Sequence, residues 1–318
     1  MDNAVEAKNL TKYFDEFLAV DHIDFEVKKG EIFGFLGPNG AGKSTTIRML
    51  TGLTKPSDGT AKIFGYDIQK QTIAAKRYVG IVPEFSNIYA DLSAWDNLMF
   101  TGELYQISKP EREKRAEELL EMFRLIDRRN EKAKSFSKGM KRRLTLSMGL
   151  INTPHLLFLD EPTSGLDVQS SLIIKDVIRE LNQKGVTIFL TTHAIEEANL
   201  TCDRVAIIHK GKIAAIDSPE KLKKTIQSVQ SIEVAFTDTK LKTLKDLDKI
   251  QSVNEVRKEG DKFKLYTHDP SNALSGLWDY AKANNLKPLS LNTLGPSLED
   301  VFVRLTEIEV KTKKEEKQ

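Results

Sequence analysis

Residues 37–44 read GPNGAGKS, a complete G-x-x-x-x-G-K-[ST] loop. The apolar run 32–36, IFGFL, stands immediately before it, and residues 44–50 read as a helix that stops at Gly52, a C-cap residue. Strand, glycine-rich turn and helix in this order aim backbone N–H groups and a helix N-terminus at an anion. At average glycine usage of about 7%, a chance match in a chain of this length is on the order of one in a hundred. A glycine-rich turn with no ligand is the plain alternative, but Lys43 and Ser44 are superfluous to such a turn. The loop therefore predicts a phosphate cradle, with Lys43 reaching the β- and γ-phosphates and Ser44 on Mg²⁺.

Outward from the loop, the chain up to Pro219 alternates short apolar runs with helical stretches, which predicts an α/β domain over residues 1–220. The runs 31–36, 156–160, 186–191 and 205–209 are continuously apolar, as in strands of a sheet covered on both faces. Residues 109–125 and 137–150 carry helical periodicity with i,i+4 charge pairs, so a helical subdomain is expected over about 86–150. A linker is expected at 221–230 and a second, α+β domain at 231–306. Its order is strand 231–237, helix 240–248, strands 252–258 and 262–267, helix 271–284, strand 287–292 and helix 297–306. That βαββαβα order fits a ferredoxin-like split βαβ with a closing helix. Residues 307–318 are expected to be a disordered tail, since 311–318, KTKKEEKQ, hold no apolar residue.

Composition narrows the function classes. With 48 Lys and Arg against 46 Asp and Glu, the net charge of the 318 residues is +2, too small for a protein whose main partner is naked nucleic acid. One cysteine, Cys202, excludes intrachain disulfides and multi-cysteine metal sites, and reads as a small inert residue. The start, MDNAVEAKNL, is neither basic nor apolar, so no signal peptide is expected. No apolar run approaches the ~18 residues that cross a bilayer.

Phosphoryl transfer also needs a carboxylate on the metal and a group that orients water. The run 156–160, LLFLD, ends by presenting Asp160, and Glu161 follows as a candidate general base. Neighbours on an extended strand point oppositely, so both face one site only if the strand ends there. Taken alone, the pair reads as a solvated Asp-Glu opening a turn before Pro162; beside a phosphate loop the catalytic reading prevails.

The stretch 157–167, LFLDEPTSGLD, together with GPNGAGKST at 37–45, resembles the nucleotide-binding subunits of ABC transporters over roughly residues 4–220. The resemblance implies a P-loop NTPase fold of the ABC type, with ATP as substrate and Mg²⁺ as metal. By position, Gly37, Pro38, Asn39, Gly40, Ala41, Gly42, Lys43, Ser44 and Thr45 correspond to the Walker A loop. Asp160 and Glu161 correspond to the Walker B aspartate and catalytic glutamate, and residues 164–167, SGLD, to the D-loop that ends in Asp167. His193, after the strand 186–191, matches the switch histidine at the γ-phosphate. Phe14, ahead of Tyr13, sits where the family places an aromatic against adenine.

Two positions depart from the family pattern. Residues 137–141 read SKGMK where the signature loop reads SGGQ or SGGM: Ser137, Gly139 and Met140 fit, and Lys138 replaces a glycine. That loop acts in trans on the nucleotide of the other protomer, so Lys138 either adds charge there or faces solvent. Glu84, in GIVPEF at 80–85, stands where the family has a glutamine that ligates Mg²⁺ and senses the membrane partner. A carboxylate can serve as that oxygen ligand.

The closing segment 296–306, PSLEDVFVRLT, resembles the C-terminal extension of ATPases paired with ABC-2-type exporters, including drug and sodium efflux systems. The resemblance implies an ATPase acting as a homodimer, or a heterodimer with a related ATPase. Its partner would be a separate multi-span permease, with this chain on the cytoplasmic face of the membrane and no nucleic acid bound. Phe85, Tyr89, Trp95 and Phe100 follow Glu84 where the family receives the membrane subunit, although part of this set reads as ordinary core. The competing class is a soluble ABC ATPase with a regulatory, nucleic-acid or ribosome-associated role. Such relatives usually carry two cassettes or long coiled coils; this chain has one cassette and no heptad array. His22, His155, His209 and His268 have no context that assigns them a role.

Overall fold

The structure is a computed structural model that describes residues 3–225, 230–237 and 243–315, side chains included except at 243, 245 and 307–315. Two compact units divide the chain, Met1–Ser218 and Pro219–Gln318. In the first, the order is β1 (Asn3–Phe14), β2 (Phe17–Lys28), β3 (Ile32–Leu36), α1 (Lys43–Leu50), β4 (Asp58–Ile63), β5 (Tyr66–Asp67), α2 (Thr72–Lys76) and β6 (Val79–Val82). There follow α3 (Ala94–Leu104), α4 (Lys109–Met122), α5 (Lys138–Leu150), β7 (Leu156–Asp160), α6 (Val168–Gln183), β8 (Thr187–Thr192), α7 (Ile195–Thr201), β9 (Arg204–His209) and β10 (Lys212–Asp217).

The apolar runs build a six-stranded sheet in the order β10-β9-β3-β8-β7-β6, parallel except for the β9–β10 hairpin. Every residue of β3, β7 and β8 is buried, which is why these strands read as unbroken apolar runs rather than alternating ones. A smaller antiparallel sheet, β2-β1-β4-β5, contributes Phe25 to the same core. Phe25 stacks on Phe33 with ring centroids 5.9 Å apart, and Phe189 packs against Phe35 at 5.5 Å and Phe158 at 5.3 Å. Burying each ring contributes roughly 2–3 kcal/mol. The consequence for function is geometric. Leu36 is level with Thr192 and Asp160 with Thr191, so β3, β8 and β7 deliver their C-terminal ends side by side. That is the edge at which open α/β sheets bind ligands.

Helices α3, α4 and α5 occupy the stretch expected to be helical. Ser93 caps α3 by accepting from Asp96 N at 3.0 Å. Asn97, fully buried, accepts from Tyr89 N at 2.8 Å and donates to the Ser93 carbonyl at 2.8 Å, which pins the segment that follows Glu84.

In the second unit the order is α8 (Pro219–Lys224), β11 (Gln230–Phe236), α9 (Thr243–Leu247), β12 (Val253–Glu259), β13 (Lys262–Thr267), α10 (Pro270–Ala283), β14 (Pro288–Leu294) and α11 (Leu298–Glu315). The sheet order β12-β13-β11-β14, antiparallel throughout, is the ferredoxin-like arrangement. Its core of Ile232, Val234, Phe263, Leu265, Ala273 and Leu277 lies between the sheet and α10. The PSLEDVF motif is a reciprocal cap: Asp300 N donates to Ser297 Oγ at 3.1 Å, and Ser297 N to Asp300 Oδ2 at 2.8 Å. Tyr266 Oη donates to the same carboxylate at 3.0 Å, so α11 is fastened to β13.

Two boundaries differ from the expected ones. Residues 221–224, read as linker, continue α8, because Pro219 suits a first helical turn and Lys223 pairs with Glu220 at 2.8 Å. The expected tail at 307 is helix up to Glu315, since its lysines and glutamates are good helix formers that prolong a helix already begun at Leu298. Of the rest of the expected linker, Thr225 is a turn and Gln230 opens β11, while 226–229, like 316–318 of the tail, lie outside the described residues.

Candidate active site

The glycine-rich loop leaves β3 and returns as α1, and its turn depends on Gly42. Gly42 has φ 105°, and a Cβ there would stand 2.7 Å from the Ala19 carbonyl oxygen. Lys43, the first residue of α1, is buried and donates from Nζ to the Gly37 carbonyl at 2.7 Å and the Pro38 carbonyl at 3.2 Å. Its ammonium lies 3.1 Å from Glu161 Oε1. Ser44 Oγ donates to Asp160 Oδ1 at 3.2 Å, and Thr191 Oγ1 donates to the same oxygen at 2.5 Å.

Glu161 shows how two consecutive carboxylates come to serve one site. It leaves β7 with φ 48°, in the left-handed region, and this turn cancels the strand alternation. Its N–H is held by Thr191 Oγ1 at 3.1 Å. His193 Nδ1 lies 2.8 Å from Glu161 Oε2 and donates in the tautomer that carries the proton there. Oε1 is buried and faces the Lys43 ammonium, and it accepts no counted hydrogen bond among the described residues, so a lone pair remains to accept from a water.

Lys43, Ser44, Glu161 and His193 line a cavity of about 380 Å³, whose wall does not include the predicted Gly37, Ala41 or Asp160. Of the predicted residues, Phe14, Pro38, Asn39, Gly40, Gly42, Lys43, Ser44, Thr45, Glu84, Glu161 and His193 form its wall, with Phe17, Ala19 and Ser164 in addition. Phe14 and Phe17 flank a two-residue hairpin tip between β1 and β2, and the spacing signals only a hairpin there. Ser137, Lys138, Gly139, Met140 and Asp167 lie outside the cavity of their own chain. Asp167 instead caps α6, accepting from Ser170 N at 2.7 Å, and this hydrogen bond with that from the Ser170 hydroxyl holds its carboxyl below the usual range. Gly139 sits against that cap: a Cβ there would stand 2.1 Å from Ser170 Oγ. Lys138 Nζ lies along Gly165, 2.5 Å from where its Cβ would be. The lysine thus reaches Gly165 of its own chain.

Three positions have no counterpart in the sequence reading. Glu197, buried on α7, accepts from Thr163 Oγ1 at 2.5 Å and Thr192 Oγ1 at 2.8 Å, so it joins the segment after Glu161 to the one before His193. Thr191 bridges both acidic residues. Arg142, buried on α5, donates to carbonyls on both sides of the cleft between β6 and β7. Thr191 is one of three threonines in the strand TIFLTT, and its neighbour Thr192 masks it, while Glu197 and Arg142 stand among like charges that hide them.

Such chemistry is that of a P-loop nucleoside triphosphatase. Comparison with known proteins makes the class specific. Residues 20–164 match the family model described as ABC transporter. The chain is 37% identical over 304 residues to the linearmycin resistance ATP-binding protein LnrL of Bacillus subtilis, covering 95% of this chain and 98% of that protein. It is 37% identical over 308 residues to the Nod factor export ATP-binding protein I of Cupriavidus metallidurans, covering 96% and 98%. Among solved structures, the post-hydrolysis dimer of the ATP-binding cassette MJ0796 bound to ADP and Pi superposes with a TM-score of 0.62 at 28% identity, over 67% of this chain and 98% of that one. The chain belongs to the ATP-binding proteins of ABC transporters, in the ABC-2-type exporter group, and it is an ATPase.

Proposed function

We propose that this chain drives an ABC-2-type exporter as a pair of copies that close on ATP and reopen after hydrolysis. The observation that carries this reading is the convergence of Lys43, Ser44, Asp160, Glu161 and His193 at the ends of three adjacent strands. Lys43 supplies positive charge to the phosphates. Glu161 accepts a proton from the attacking water, and His193 steadies Glu161 from its other oxygen. Phe14 and Phe17 offer ring faces to the adenine.

Ser44 and Asp160 suit Mg²⁺: a hydroxyl and a carboxylate oxygen stand 3.2 Å apart beside the phosphate loop. Among the described residues no group of three or more His, Cys, Asp or Glu could cage a metal. The site thus fits an ion that completes its shell with phosphate and water, and Glu84 on the same wall is a further oxygen donor. When bound, Mg²⁺ neutralises charge between the β- and γ-phosphates.

Residues 137–140 stand clear of their own cavity, which supports a role on the nucleotide of a second copy; a dimeric cassette relative supports the same arrangement. The relatives named for export and resistance support a separate multi-span permease, with this chain docked on its cytoplasmic face. Among the described residues no helix is long and apolar enough to cross a membrane.

The deciding experiment is light scattering of Glu161→Gln with ATP and Mg²⁺, beside turnover of the unmodified chain. The variant should bind ATP, hydrolyse it slowly and accumulate as a dimer. Wild-type turnover in Glu161→Gln, or a monomer at saturating ATP, overturns the reading.

A further inference from the structure

We propose that Arg142 is a positioning residue that couples Glu161 to the loop at residues 83 and 84, so that the placement of the catalytic glutamate follows that loop. The inference rests on the assignment of Glu161 as the base, and it concerns a residue outside the wall of the cavity that Glu161 lines.

Arg142 is 4% exposed, and the three guanidinium nitrogens all donate to main-chain carbonyls. Nε reaches the Pro162 oxygen at 3.0 Å; Nη2 reaches those of Asp160 at 2.7 Å and Glu161 at 3.2 Å. Nη1 takes Glu84 at 3.1 Å and also Pro83. One planar fork therefore holds three consecutive carbonyls, from the last residue of β7 onward, and two consecutive carbonyls after β6. Only arginine among the side chains has enough donors in fixed geometry for this.

The location gives the contact its consequence. Strands β6 and β7 pair as far as Val82 and Leu159. Beyond that pair Pro83 has no N–H to continue the ladder, and Arg142 spans the gap in its place. On one side of the gap is Glu161, whose φ of 48° requires surrounding contacts to maintain it. On the other, Glu84 lines the nucleotide cavity while Phe85 next to it is 80% exposed. A partner that moves Phe85 moves carbonyls that share one rigid group with the glutamate. Burial pushes the guanidinium down to about 10, offset in part by Asp160, Glu84 and Glu161, so it stays charged at neutral pH.

The bonds end on main chain, so Glu161→Gln leaves them in place and a double-mutant cycle isolates the coupling. In the full-length protein, Arg142→Lys, which offers three donors from a single point, should lower kcat about tenfold and leave the KM for ATP within about threefold. On the Glu161→Gln background the same change should lower the residual single-turnover rate no further. Arg142→Gln serves as the second variant, and rates are expressed per folded molecule by titrating nucleotide-binding sites. Wild-type kcat in either folded variant, or an equal loss in both backgrounds, overturns the inference. Wild-type turnover in Glu161→Gln alone would instead sink the assignment of the base, so the two failures are distinct.

Discussion

The ammonium of Lys43 lies 3.1 Å from Oε1 of Glu161, and both side chains are less than one tenth exposed. A buried pair of this kind stabilises little in itself, but removal of one partner leaves an uncompensated charge at a cost of about 3–5 kcal/mol. Lys43→Met should therefore both abolish ATP affinity and lower the stability of the first unit. Adding Glu161→Gln to Lys43→Met should recover a large part of the stability and none of the affinity. Urea melts of the two variants check this; a double variant no more stable than Lys43→Met means that the pair is not what holds Glu161.

Gly139→Ala would put a methyl group into the Ser170 hydroxyl. Ser170 donates from both N and Oγ to Asp167, so the displaced serine should uncap α6 at about 1 kcal/mol. Closure on a second copy should weaken more than stability does, because the same contact joins residues 137–140 to Asp167 and, in the proposed arrangement, both face the partner copy. Ser170→Gly removes the obstructing atoms, and Gly139→Ala/Ser170→Gly should regain part of the ATP-dependent dimer seen by light scattering. No recovery in that pair would locate the defect elsewhere.

Glu197 makes the two threonine contacts that frame Glu161 and His193. Glu197→Ala strands the buried Thr192 hydroxyl and the half-buried Thr163 hydroxyl, so stability should fall by about 1–3 kcal/mol. Because both segments carry catalytic groups, kcat should fall about tenfold while the KM for ATP changes little. Glu197→Gln keeps an acceptor oxygen and should fall between the two. Steady-state kinetics on the folded proteins decide this; unchanged kcat in Glu197→Ala would leave Glu197 a purely structural group.

How far these features were legible in the sequence depends on how local they are. The phosphate loop is eight consecutive residues between a strand and a helix, so its motif carries its own geometry. Asp160 is legible as the polar end of an apolar strand, but the turn that brings Glu161 beside it is a backbone angle that residue types alone do not dictate. Arg142 stands inside KRR and Glu197 inside IEEAN, where neighbours of like charge mask the one side chain that turns inward. Helix phase relative to β6, β7 and β8 decides which one is buried, and that phase is tertiary. The reach of Lys138 to Gly165 likewise depends on two loops 27 positions apart in number, 165 − 138 = 27, brought together by α5 and β7. In the second unit the strand and helix order was visible from periodicity. The PSLEDVF motif gave its likeness but not its chemistry, which is a cap tied to β13 rather than a binding site.

That cap gives the second unit an acid sensitivity with a defined sign. Burial pushes the Asp300 carboxyl up, but hydrogen bonds from Ser297 Oγ and N and the charge of Lys264 outweigh it and hold the group below its ordinary value of 3.8. A carboxyl depressed in the folded state contributes stability that is complete above the unfolded value. That contribution is lost progressively as pH falls below 3.8 and is gone once pH passes under the depressed value. Asp300→Asn cannot ionise, so it should be less stable than the parent at neutral pH and should lose less on acidification. Trp278 on α10 reports this unit when Trp95, the other of two tryptophans, is replaced by Phe. Urea melts read on Trp278 from neutral pH to about pH 3 should show the two curves converging toward the acid end. Curves that fall in parallel would show that Asp300 carries no pH-linked stability and that the cap holds α11 equally well when neutral.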